Sequence, residues 1–64
     1  MSNTKLTSVK ILDDLYKKFK LNTINTKMTL QKLTNRAINL YLENDDFREK
    51  IEIHDELTVS GSNF

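Results

Sequence analysis

There is no cysteine, proline or tryptophan in the 64 residues, and the one glycine is Gly61. Without cysteine neither a disulfide framework nor a thiolate zinc site can form. His54 is the only histidine, so a metal would have to be held by scattered carboxylates, and neither a metal nor any other cofactor is expected. A single glycine near the end leaves no phosphate-cradling glycine loop. No apolar run approaches the ~20 residues that span a bilayer. The polar start Met1-Ser2-Asn3-Thr4-Lys5 leads into no signal-type apolar core, so the expectation is a cytoplasmic protein without a membrane partner. The paired acids Asp13/Asp14 and Asp45/Asp46 fall where helices should start, and there they favour the positive end of the helix dipole rather than form a catalytic dyad. The chain does not read as an enzyme.

What remains is one small domain in need of support. A domain of roughly 60 residues buries only about 60% of its unfolded surface and usually needs a staple. With disulfides and metal excluded, oligomerisation is the staple left.

The formal net charge of +1 conceals a division. Residues 1–42 carry eight cations (Lys5, Lys10, Lys17, Lys18, Lys20, Lys27, Lys32, Arg36) against Asp13 and Asp14, a balance of +6. Residues 43–64 carry seven acids against Arg48 and Lys50, a balance of −5. An electropositive body suited to a polyanion, with an acidic appendage, is the expected layout. Accordingly, residues 1–43 are read as one basic unit, the candidate for polyanion binding and dimerisation, and residues 44–64 as an acidic C-terminal extension, partly helical or disordered.

Leu6-Thr7-Ser8-Val9-Lys10-Ile11 alternates as a strand does, with Thr7, Val9 and Ile11 on one face and Leu6, Ser8 and Lys10 on the other. A lone strand leaves its N–H and C=O groups unpaired, so this one is expected to pair antiparallel with the same strand of a second copy. A two-stranded ribbon fits the major groove of B-DNA. The pattern then changes period: a first helix is expected from about Asp13 to Asn22, with Leu15 and Phe19 inward, and Asn25 as its left-handed end residue. A second is expected from Leu30 to Leu42 or Glu43, N-capped by Thr29, with Leu33, Ala37, Leu40 and Tyr41 repeating at helical spacing. Asp46 and Glu49 resemble a capping box for a short further helix. Residues 60–64 are expected to be disordered.

On this layout Ser8 and Lys10 can hydrogen-bond base edges, Leu6 can meet a thymine methyl, and Lys5 can reach a phosphate. The free N–H groups of Leu30 and Gln31, with the Thr29 hydroxyl and the Lys32 ammonium, form an anion site at the start of the second helix. Val9, Ile11, Leu15, Phe19, Leu33, Ala37, Leu40 and Tyr41 make the expected dimer core.

Ser8-Val9-Lys10-Ile11-Leu12-Asp13-Asp14-Leu15-Tyr16, and Met28 through Ile38 after a short break, resemble the ribbon-helix-helix family of small DNA-binding repressors, the MetJ/Arc/CopG group. The resemblance covers residues 5 to about 43. It implies a mainly α fold of one N-terminal strand plus two helices per chain, in an intertwined homodimer with an intermolecular antiparallel β-ribbon. Three alternate strand residues, matched here to Leu6, Ser8 and Lys10, would read bases in double-stranded DNA. The phosphate clamp falls on Thr29, Leu30 and Gln31. Leu12 stands where the family often has Pro or a capping Ser, Lys27 where Gly is common, and Leu6 replaces a polar or basic reader. The function expected is transcriptional repression by a homodimer, with higher-order assembly on DNA left open. Two alternatives stand beside it: an antitoxin-type module whose C-terminal tail binds a partner protein, and a helical interaction module without DNA binding.

Overall fold

Apolar residues at helical spacing recur three times along the chain, and in the computed structural model, which describes residues 3–64, each recurrence is a helix. These are α1 (Asp13–Asn22), α2 (Leu30–Glu43) and α3 (Asp45–Ile53), followed by a hairpin of β1 (Thr58–Val59) and β2 (Ser62–Asn63). The expected order of one N-terminal strand and two helices is therefore incorrect. Residues 3–12 hold no strand; among the described residues the only sheet is the two-stranded one at the other end of the chain, and a third helix precedes it. The physical reason is that a strand needs a partner for its ladder. No segment of the same chain lies alongside residues 6–11 to exchange ladder hydrogen bonds, and no backbone bond outside the helices and hairpin involves them.

Local chemistry explains where each helix stops. α1 follows Leu12, whose side chain offers no cap. The dipole is served only by Asp13 and Asp14, with Lys17 bridging Asp13 at 2.9 Å on the exposed side. Its end differs from expectation. Thr23, not a left-handed Asn25, closes it by donating its N–H and its hydroxyl to the Phe19 carbonyl, at 3.1 and 2.8 Å. Asn25 is not among the positive-φ residues. The Thr23 carbonyl then accepts both the N–H and the hydroxyl of Thr26, and the Thr26 hydroxyl accepts the Met28 N–H. The connection to α2 is thus tied at Thr23, Thr26 and Met28, using the Thr side chains that compete with helix.

α2 is capped at Thr29, whose hydroxyl accepts the Lys32 N–H at 3.1 Å. At its far end a single residue turns the chain. Asn44 (φ −121°, ψ 110°) donates its N–H to the Leu40 carbonyl, ending α2, while its side chain accepts the Phe47 N–H at 2.9 Å, starting α3. The cap of α3 is therefore Asn44 rather than Asp46. So short a connection folds α3 back on α2, with Phe47 and Ile51 beside Ala37, Ile38 and Tyr41. The Tyr41 hydroxyl donates to Glu52 at 2.7 Å, and the Arg48 guanidinium lies 5.9 Å from the Tyr41 ring centre. That carboxylate raises the Tyr41 phenol above its ordinary pKa, chiefly through the hydrogen bond.

In the hairpin Thr58 pairs with Asn63 and Val59 with Ser62, and the turn residues Ser60 and Gly61 both have positive φ (52° and 83°). Two consecutive positive φ values are what a twisted two-residue hairpin demands. A Cβ on Gly61 would meet nothing within 4 Å, so its backbone angle, not crowding, calls for glycine there.

α2 packs on α3 and β1 on β2, whereas α1 packs on no other element. Among the described residues none is fully buried. The chain exposes 6378 Å², against about 4,200 Å² for a compact monomer of its 7.5 kDa mass. Its radius of gyration is 13.6 Å, where about 11 Å suits a compact chain of this length. No helix among the described residues is long and apolar enough to cross a membrane.

Candidate nucleic-acid interface

Three groups of residues were expected to act together, and the structure places each differently. Lys5, Leu6, Ser8 and Lys10 all lie exposed in the segment before α1, with Leu6 99% accessible. Among the described residues no hydrogen bond ties this segment to α2, so the structure does not join the residues expected to read bases to those expected to hold phosphate.

The start of α2 is locally built. Leu33 N–H is taken by the Thr29 carbonyl at 2.9 Å and Lys32 N–H by the Thr29 hydroxyl oxygen. Leu30 and Gln31, the first two residues of the helix, have no acceptor for their N–H groups among the described residues. The Thr29 hydroxyl oxygen is thus already an acceptor, and only its proton is left for an anion. Lys32 donates its ammonium to the Lys27 carbonyl at 2.9 Å. That bond folds the cation back over the connection before α2, beside its own helix start, and gives Lys27 a structural partner that no spacing rule suggested. Farther along α2, Asn35 bonds the Gln31 carbonyl and Asn39 reaches Glu43.

The electrostatics carry the most information. Of the eight cations in residues 1–42, only Lys17 has a carboxylate within 4 Å among the described residues. Lys5, Lys10, Lys18, Lys20, Lys27, Lys32 and Arg36 are exposed and without an acidic neighbour at that distance. Lys20 lies 6.0 Å from the Tyr16 ring centre. The other ion pair, Arg48 with Asp45, is inside α3. Acid and base are therefore segregated along the chain rather than mutually neutralised, and no group of three metal-ligating side chains occurs among the described residues.

Of the residues read as dimer core, Phe19, Ala37 and Tyr41 are half-buried, while Leu15, Leu33 and Leu40 are between 42% and 44% exposed. Val9 is 74% exposed and Ile11 40%. Sequence reasoning missed Phe47 and Ile51 as the residues that cover α2, although their spacing of four on an amphipathic stretch is the signal that marks them.

In comparisons with known proteins the chain matches no family model, no curated protein and no solved structure.

Proposed function

We propose that the chain binds double-stranded DNA sequence-specifically as a homodimer and acts as a cytoplasmic transcriptional repressor. One observation carries the reading: seven exposed cations without an acidic neighbour in residues 1–42, separated from the acids of residues 43–64. Unneutralised Lys and Arg side chains supply the affinity of a protein for the phosphate backbone, by releasing the counterions condensed on it. The likeness of the Ser8–Tyr16 and Met28–Ile38 stretches to small repressors points the same way.

In this reading Lys10 and Ser8 hydrogen-bond base edges and Leu6 offers an apolar contact for a thymine methyl. Lys5, the free N–H groups of Leu30 and Gln31, the Thr29 hydroxyl proton and the Lys32 ammonium hold flanking phosphates and set the position of the protein. Dimerisation is supported by surface area. The chain exposes 6378 Å², about 2,100 Å² more than a compact monomer would, and an obligate homodimer buries about 1,000–2,500 Å² on each partner.

A gel-shift titration against random-sequence and genomic DNA pools tests the proposal. Binding to random DNA in the micromolar range or weaker, about 10⁻⁶–10⁻⁴ M, with a tighter-binding sequence enriched from the genomic pool, is the expected result. Failure to shift any duplex at low salt would favour a protein-interaction role.

A further inference from the structure

α3 lies beside Ala37, Ile38 and Tyr41 of α2. On the far side of α2, Gln31, Lys32, Asn35, Arg36 and Asn39 are all exposed, and no other element packs on that helix. The sequence holds no acid between Asp14 and Glu43, so this face carries none. It differs from the surface of α3, where acids and bases alternate and Arg48 pairs with Asp45. α2 has no ion pair among the described residues and places Asn35 and Asn39 in its middle turns, where Ala would make a more stable helix. The face therefore gives up helix stability for carboxamide and guanidinium groups.

We infer that α2 lays this face in the major groove of duplex DNA, where Asn35 and Asn39 read adenine and Arg36 reads guanine. The inference rests on the DNA-binding reading above and deepens it, by naming a second base reader beside Ser8 and Lys10. Asn35 gives one side-chain N–H to the Gln31 carbonyl at 2.8 Å, and Asn39 gives one to Glu43 at 3.3 Å. A primary amide has two N–H groups and an oxygen. Each Asn thus keeps one N–H and its oxygen, the pair that adenine N7 and the adenine amino group require. Arg36 has no carboxylate within 4 Å among the described residues, and its fork matches O6 and N7 of guanine. The three side chains line one open recess with Leu40 and fall within about 100° of the helix circumference. Asn35 and Asn39 are one turn apart, about 6 Å, close to the roughly 7 Å of two base-pair steps. The groove is about 12 Å wide and admits an α-helix, and a face without acids meets no repulsion from the phosphates that flank it. On the same helix, the free N–H groups of Leu30 and Gln31 then meet phosphates at the edge of the groove.

Anisotropy titrations with Asn35→Ala and Arg36→Ala test the inference. Each should weaken binding to the duplex enriched from genomic DNA by about fivefold to a hundredfold, and leave binding to random duplex within about twofold. Single base-pair changes across the enriched site then locate the contacts. One guanine change should cost the parent affinity and cost Arg36→Ala nothing further, and one adenine change should do the same for Asn35→Ala. Asn35→Ala should melt at or above the temperature of the parent, because Ala is the better helix former, so its loss of affinity is not a loss of folding. In the unsubstituted protein, the side-chain amide resonances of Asn35 and Asn39 should shift on addition of the enriched duplex. A parent that shifts no duplex, or prefers no sequence, overturns the DNA reading and this inference together. A parent that prefers one sequence, with variants that keep that preference or lose affinity equally for random DNA, overturns this inference and leaves the DNA reading standing.

Discussion

α1 and α3 are helices of nearly the same length, 10 and 9 residues, each with two acids in its first turn and a lysine in its last. Yet α3 packs on α2 and α1 packs on nothing in its own chain. Their connections account for the difference. A single residue, Asn44, serves both α2 and α3 and keeps them adjacent, whereas α1 is joined to α2 by residues 23–29, a longer connection with its own local bonds. Helices this short are marginal without packing, and α1 has none from another element of its own chain. Its flank is also the cationic one, which separates the acidic, self-packed end of the molecule from the basic, unpacked end.

The largest effect that sharpens this contrast is expected for the two phenylalanines. Phe47→Ala should cost about 3 kcal/mol, the low end for a core phenylalanine because the ring is only half-buried. Phe19→Ala should cost a similar amount but through the proposed dimer, so the apparent stability gap from the parent should narrow on dilution, as the parent dissociates too. Urea titrations at two protein concentrations check both. Equal, concentration-independent losses would erase the distinction between α1 and α3.

Next come the cations. Lys10→Ala should weaken binding to the enriched DNA sequence by on the order of 1–3 kcal/mol and to random DNA by much less, if Lys10 reads a base. Lys50→Ala, a change on the acidic α3, should leave DNA affinity and stability within about ±0.5 kcal/mol. Anisotropy titrations that found the two substitutions equivalent would break the assignment of DNA to the basic end.

A smaller loss, about 1 kcal/mol, is expected for Asn44→Ala, which removes the cap of α3. Chemical denaturation checks it, and the helical signal lost should be that of α3.

The smallest effect belongs to Tyr41. Its folded pKa lies above the unfolded value because its protonated hydroxyl donates a hydrogen bond to the Glu52 carboxylate. The stabilisation is therefore complete below the unfolded pKa and is lost as pH rises through the folded one. Thermal melts should show the parent losing a little stability above about pH 10, and Tyr41→Phe should show no such loss.

The helices were legible because 3.6-residue periodicity and caps are local properties. α1 and α2 lie over the ranges that Leu15/Phe19 and Leu33/Ala37/Leu40/Tyr41 mark out, and Thr29 caps α2 as a threonine before an apolar run should. Residues 6–11 alternate like a strand, but alternation states only which faces could be buried. Whether a ladder forms depends on a neighbouring segment, and the described residues provide none. The start of α3 was misplaced for a related reason: Asp46/Glu49 matched a capping pattern, but the closer Asn44 already ended α2 and could cap α3 as well. At the candidate interface, the free N–H groups of Leu30 and Gln31 followed from the cap, whereas the turn of Lys32 onto the Lys27 carbonyl depends on a loop shape that no local pattern encodes.

The central claim is that exposed cations of residues 1–42 hold the phosphates of duplex DNA, and the salt dependence of affinity tests it most directly. The dissociation constant for one duplex, measured by anisotropy between about 50 and 200 mM salt, should rise steeply. The logarithmic slope should be about 0.9 for each phosphate neutralised, and large enough to require several Lys or Arg contacts per dimer. A dissociation constant that barely changes over that range, or no binding at its lower end, would contradict the claim.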